Sequence, residues 1–240
     1  MTHPHATELR DLLAATKCVL FDFDGPVCRL FDGHPAAAVA AGLRAWIARH
    51  AAYDIPVPNG SVDDPHAVLI EAGQTYPDSE LVAQLEQLLT DEELRATSTA
   101  RPTEGADRLI GRLGTAGFRL AITTNNSPSA ARRYLEREGL AEFFGDHIHG
   151  RTPDPRLLKP DPHCLRRALE TTGSTAVESL MIGDSPADYL AANQLGVPFL
   201  GYARNEAKRR RLVNEGVASS MCVSSLESLL DVLEPGLSVE

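Results

Sequence analysis

Cys18-Val19-Leu20-Phe21-Asp22-Phe23-Asp24-Gly25 is an apolar run that ends in two carboxylates and a glycine. The run is short and partly β-branched, which predicts a buried strand from Cys18 to Phe23. Residues two apart share a face of an extended chain, so Asp22 and Asp24 project together at the carboxyl end of that strand. Gly25 lets the chain turn away. Two adjacent carboxylates repel, and a divalent cation, magnesium where the ligands are oxygens near phosphate, would neutralise them. Taken alone, Asp-x-Asp-Gly suits a solvated turn equally well. The ends of the other predicted strands decide between the two.

Phe118 to Thr124 reads as a second strand, closed by Asn125-Asn126-Ser127-Pro128. Ser127 suits an N-cap and Pro128 the first helical position, so Thr124 and the Asn125 amide stand before a helix amino terminus, where donors suit an anion. Lys159 precedes Pro160-Asp161-Pro162, and Asp161 is placed to cap a helix that runs to about Thr172, with Gly173 beyond it. Glu178 to Gly183 forms a strand that delivers Asp184, with Ser185 and Pro186 opening another helix. Two carboxylates, a hydroxyl, a lysine and a further acid thus arrive in order at strand-to-helix junctions. In an open parallel sheet those junctions share one rim, where ligands bind.

Further strands are predicted at His147 to Gly150 and Val197 to Tyr202, with a weaker one at Ser220 to Val223. Alternation of strands and helices after Arg101 predicts an α/β fold with a Rossmann-like parallel sheet. Between Leu30 and Ala100 no strand is predicted. Val39, Leu43, Trp46 and Ile47 recur at helical spacing, as do Leu81, Val82, Leu85, Leu88 and Leu89. Asp64-Pro65 opens a helix, Thr90-Asp91-Glu92-Glu93 reads as a capping box for a further short one, and Tyr53 to Pro65 reads as a loop. The expected organisation is an α/β core of residues 1–29 and 101–240 and an inserted α-helical cap of residues 30–100, with Trp46 in the cap's core.

With the junction residues in place, the chain resembles the haloacid dehalogenase superfamily, in its phosphoglycolate phosphatase and β-phosphoglucomutase branch. Asp22-Phe23-Asp24-Gly25 is similar to the first motif, Thr124-Asn125 to the second, Lys159-Pro160 to the third and Gly183-Asp184-Ser185-Pro186-Ala187-Asp188 to the fourth. Pro26 stands where the family often has Thr, and it brings neither a hydroxyl nor an amide hydrogen. The resemblance implies a magnesium-dependent phosphatase acting on a small phosphate monoester through an aspartyl-phosphate. Asp22 would be the nucleophile and Asp24 the acid and base. Thr124, Asn125 and Lys159 would hold the phosphoryl group. Asp22, the Asp24 carbonyl and Asp184 would hold Mg2+, with Asp188 in support as well as in a capping box with Ser185. The resemblance also leaves room for a phosphomutase, a dehalogenase or a non-catalytic ligand-binding member; the second aspartate favours phosphoryl chemistry.

The chain has 240 residues, 43% of them hydrophobic, and 33 acidic against 23 basic side chains give a net charge of −10. That balance argues against a general nucleic-acid or membrane-surface binder; the resemblance implies a small phosphorylated metabolite as partner. Cys18, Cys28, Cys164 and Cys222 form no close pair, which suits free thiols in a reducing cytoplasm. No apolar stretch is long enough to span a bilayer. Lys208-Arg209-Arg210-Arg211 reads as a solvated helix face, Arg29 and His34 as surface or hinge residues, and His3 and His5 as a frayed end. Oligomeric state is left open.

Overall fold

The computed structural model describes residues 4–50 and 62–233. Six parallel strands form one sheet in the order β5-β4-β1-β6-β7-β8: β1 (Cys18–Phe21), β4 (Arg119–Thr123), β5 (Ile148–His149), β6 (Ser179–Gly183), β7 (Phe199–Tyr202) and β8 (Cys222–Val223). Every strand read from the sequence is present, some shorter by a residue or two. β1 ends at Phe21 because Asp24 turns into an isolated bridge with Cys28, although Asp22 N–H still donates to the Ile182 carbonyl at 2.9 Å. A two-stranded antiparallel ribbon, β2 (Cys28–Arg29) with β3 (Arg101–Pro102), was not foreseen, since two residues carry no period.

The sheet is covered on both faces, so β1 is apolar at every position rather than alternating. Val19 and Phe21 face a cluster with α1 (Pro4–Ala14), α5 (Ala106–Thr115), α6 (Pro128–Arg137), α7 (Ala141–Phe144) and α11 (Glu227–Leu230). Cys18 and Leu20 face the opposite cluster, with α8 (His163–Thr172), α9 (Pro186–Leu195) and α10 (Glu206–Glu215). α1 begins at Pro4, so His5 is helical rather than frayed, anchored by Leu9 and Leu13; His3 lies outside the described residues. All four cysteines are buried free thiols. No helix among the described residues is long and apolar enough to cross a membrane.

Among the described residues from 30 to 100 the regular elements are helices: α2 (Ala36–Arg49), α3 (Pro65–Thr75) and α4 (Glu80–Ala96). Their apolar faces make a third cluster from Val39, Leu43, Ile47, Leu69, Leu85 and Leu89, which Leu158 joins from the sheet side. Asp64 caps α3 by accepting from His66 N–H at 2.9 Å, with Pro65 at the first position. Trp46 is half-buried at the edge of this cluster and stacks on His50 at 3.8 Å between ring centroids. The capping box at Thr90–Glu93 starts no new helix, because α4 runs through it without a break. The expected loop from Tyr53 to Pro65 lies largely outside the described residues.

Candidate active site

The junction residues meet at the carboxyl rim, where β1 lies between β4 and β6. Lys159 ties them together. Its Nζ donates to Asp22 Oδ1 at 2.8 Å, to Asp188 Oδ1 at 2.5 Å and to the Thr123 carbonyl at 2.8 Å. Asp22, Lys159, Asp184 and Asp188 are all buried. Burial and then Asp188 push the Asp22 carboxyl up to about 6, against the pull of Lys159. Burial alone would lower the Lys159 ammonium, but Asp188 and Asp22 hold it well above the usual lysine range.

Asp24 is held by the backbone. Its Oδ1 accepts from Leu30 N–H at 2.8 Å, and burial raises its carboxyl in spite of that bond. Gly25 follows with φ +137, and a Cβ built there would lie 2.2 Å from Asp184 Oδ2, so this turn passes over Asp184 only with glycine. Pro26 brings no donor, and Thr103, just beyond β3, supplies one: its hydroxyl donates to the Gly25 carbonyl at 2.5 Å.

Ser185 caps α9 in a reciprocal box with Asp188, as the spacing predicts. Asp188 Oδ2 accepts from Asp184 N–H (3.1 Å), Ser185 N–H (3.0 Å) and the Ser185 hydroxyl (2.7 Å). Ligand atoms of Asp22, Asp184 and Asp188 lie within 4.8 Å of one another. An all-oxygen carboxylate set fits a hard divalent cation. Both Asp188 oxygens accept protein donors, whereas Lys159 engages Oδ1 of Asp22 and Lys208 engages Oδ2 of Asp184, so Asp22 and Asp184 are the side chains that could hold such an ion.

Thr124 is buried, and its hydroxyl donates to Asn126 Oδ1 at 3.0 Å while accepting from Asn126 N–H at 3.1 Å. The Asn125 side chain grips the Lys159 backbone, with Oδ1 accepting from Lys159 N–H at 2.8 Å and Nδ2 donating to the Lys159 carbonyl at 3.2 Å. Asp161 accepts from His163 N–H at 2.9 Å and the helix behind it ends at Gly173 in the left-handed conformation.

Lys208 is not on a solvated face: it pairs with Asp184 Oδ2, and burial lowers its ammonium. The signal was the junction itself, since Asn205 caps α10 just after β7 and puts Lys208 in the first turn at the rim. Arg29 and Lys208, with the exposed Arg204, line a cavity of about 480 Å³ beside Asp24 and Asp184. Arg29 also pairs with Asp32 at 3.5 Å, and His34 bonds Glu92 of α4 at 2.6 Å. Arg151 and Glu93, both buried, meet the half-buried His66 next to Asn126; spacing marks Glu93 only as part of a capping box.

The model of the haloacid dehalogenase-like hydrolase family matches residues 16–196. The chain belongs to that family. A phosphoglycolate phosphatase from Vibrio cholerae is 31% identical over 192 residues, 77% of this chain and 83% of that protein. One from Rhodospirillum rubrum is 42% identical over 104 residues, which span 42% of each chain. Among solved structures, a protein described as a predicted phosphatase from Clostridium acetobutylicum superposes with a TM-score of 0.68 at 21% identity, covering 90% of this chain and 97% of that one. The resemblance carried by the four motifs is thus borne out, and so is the α/β fold.

Proposed function

We propose that the chain is a magnesium-dependent phosphatase that hydrolyses a small phosphate monoester through an aspartyl-phosphate on Asp22. The observation that carries this reading is the buried cluster of Asp22, Lys159, Asp188 and Asp184 at one rim, with Asp24 lining the cavity next to Asp184. Lys159 holds Oδ1 of Asp22, which leaves Oδ2 to attack phosphorus. A new P–O bond forms on Asp22 as the bond to the leaving alcohol breaks, and Asp24 gives that alcohol its proton. Asp24 then takes a proton from the water that attacks the phosphorus, which frees Asp22 and releases phosphate. Thr124, the Asn125 N–H and Lys159 hold the phosphoryl oxygens, a task of positioning and charge. Mg2+ held by Asp22, Asp184 and the Asp24 carbonyl would offset the substrate's charge and the repulsion among the acids.

Helices α2 to α4, in residues 30–100, act as a cap over the core of residues 1–29 and 101–240, and β2 with β3 carries the chain out and back. The cavity beside Asp24 takes the leaving group. Its lining sets Arg29, Arg204 and Lys208 against Asp24, Asp32, Asp63 and Asp184, so charge alone does not choose the leaving group; the names of the relatives make phosphoglycolate the first compound to try. The four free thiols suit a reducing cytoplasm as the enzyme's place of work.

The test is a hydrolysis screen over phosphorylated metabolites with magnesium present. Phosphate release should vanish in excess chelator and return with added magnesium. Full activity after chelation and dialysis, or no release from any compound, contradicts the proposal.

A further inference from the structure

Glu93 lies in the interior of the protein, fully buried, on the helix α4 that faces the sheet rim. Its Oε1 accepts from Arg151 Nη1 (2.8 Å), Asn126 Nδ2 (3.0 Å) and His66 Nε2 (3.2 Å). Its Oε2 accepts from Arg151 Nη2 (3.0 Å) and Ser127 N–H (2.8 Å). Arg151 follows β5 and is buried too; its remaining N–H groups go to the Asn125 carbonyl (3.1 Å), Thr90 Oγ1 (2.8 Å) and Glu86 Oε1 (3.2 Å). Three consecutive residues of the turn after β4 are therefore gripped from one ion pair: Asn125 by Arg151, Asn126 and Ser127 by Glu93.

The grip has a direction. An ionised carboxylate only accepts, so the Asn126 amide must present its nitrogen to Glu93 and its oxygen to Thr124. That oxygen then takes the Thr124 hydroxyl hydrogen, while the Asn126 N–H donates back to Thr124 Oγ1. Burial alone would push the Glu93 carboxyl up, but the Arg151 charge and the His66 bond outweigh it and hold it at about 2, so the acceptor is ionised throughout the working range. Stability alone does not call for this arrangement, since a well-packed apolar pair often serves a buried site at least as well as an ion pair.

We propose that Glu93 is a positioning residue for the phosphate-binding turn, setting the direction of the Thr124 hydroxyl and the Asn125 and Ser127 backbone through Asn126 and Arg151. This rests on the reading that Thr124 and Asn125 hold the phosphoryl group. Glu93 touches no reacting atom; it fixes the shape of the groups that do.

The experiment measures binding of inorganic phosphate by calorimetry in the presence of magnesium, together with kcat and KM, for the unmodified chain, Glu93→Gln, Asn126→Ala and the double variant. Glu93→Gln keeps the size but can donate as well as accept, so it no longer dictates the Asn126 amide. Asn126→Ala leaves the Glu93–Arg151 pair intact and serves if Glu93→Gln does not fold. Each single variant is expected to weaken phosphate binding about tenfold to a hundredfold, the range for a lost hydrogen bond to a charged group. The double variant should lose little more than either, because the two residues act in series. Phosphate binding and KM within about twofold of the unmodified chain in a folded variant, or a change in melting temperature alone, overturns the inference; a twofold change is only about 0.4 kcal/mol, within ordinary additivity error. If the unmodified chain itself binds no phosphate, the phosphatase reading falls with it. If the unmodified chain binds and the variants bind equally, only this inference falls.

Discussion

Gly25 decides how closely the turn after Asp24 can lie over Asp184. A Cβ there would meet Asp184 Oδ2 at 2.2 Å, and φ +137 is a conformation that side chains resist. Gly25→Ala should therefore lower stability by about 1–3 kcal/mol and weaken magnesium binding, because either the turn or the Asp184 carboxylate must move. Denaturant unfolding and a magnesium titration check this, and no change in either would contradict the packing described. At this scale much of the site was legible in the sequence. Asp22, Asp24, Thr124, Lys159, Asp184 and Asp188 are read from the sequence at or near strand-to-helix junctions, and the parallel sheet puts those junctions on one rim. Lys208 obeys the same rule but was hidden in a basic run. Glu93, His66 and Arg151 obey none: their meeting depends on where α4 packs, which no spacing encodes.

At the scale of elements, α4 shows how a local signal loses to packing. Thr90-x-x-Glu93 has the form of a capping box, but Leu81, Leu85 and Leu89 continue one buried face through it. Thr90 turns to Glu86 and Arg151, and Glu93 turns to the core. The start of α3 carries a related charge problem. His66 sits in the first turn, where a cation faces the positive end of the helix dipole. Burial would lower its pKa further, yet hydrogen bonds to Asp64 and Glu93 raise it to about 9. A raised histidine stabilises the folded state fully below its ordinary value of 6.5, and that contribution is lost as pH rises through about 9. Glu93 behaves oppositely: held at about 2, it contributes fully above its ordinary 4.5 and loses that contribution as pH falls towards 2. Burial raises the Asp24 carboxyl, and the charge of His66 also pulls it down. Unfolding measured between pH 6 and 9.5 should show a decline in stability that His66→Gln flattens; equal slopes in the two proteins would contradict the pairing.

For the whole molecule, the sheet and the helical insert have separate apolar clusters but not a free boundary. Cys28 pairs with Pro102 and Arg29 with Arg101, so the chain leaves and re-enters the sheet side through one short ribbon. α3 rests on Pro155 so closely that a Cβ at Gly73 would lie 2.3 Å from Pro155 Cγ. The Glu93–Arg151 pair crosses the same boundary, and removal of the insert would take away the Arg151 partners Glu86, Thr90 and Glu93 together. The alternation of elements made the parallel sheet and the helical insert readable. The contacts that join them were not readable, because they depend on side chains far apart in sequence. In the proposed reaction Asp22 carries the phosphoryl group. The most direct test is the intact mass of the chain, quenched in acid during turnover of a nitrophenyl phosphate, in the unmodified, Asp22→Asn and Asp24→Asn forms. Asp24→Asn keeps the nucleophile but lacks the base for the second step, worth roughly 100- to 10,000-fold, so it should accumulate one added phosphate, and Asp22→Asn should gain none. A phosphate adduct that persists in Asp22→Asn, or Asp24→Asn turning over alkyl and nitrophenyl phosphates as fast as the unmodified chain, would contradict the account.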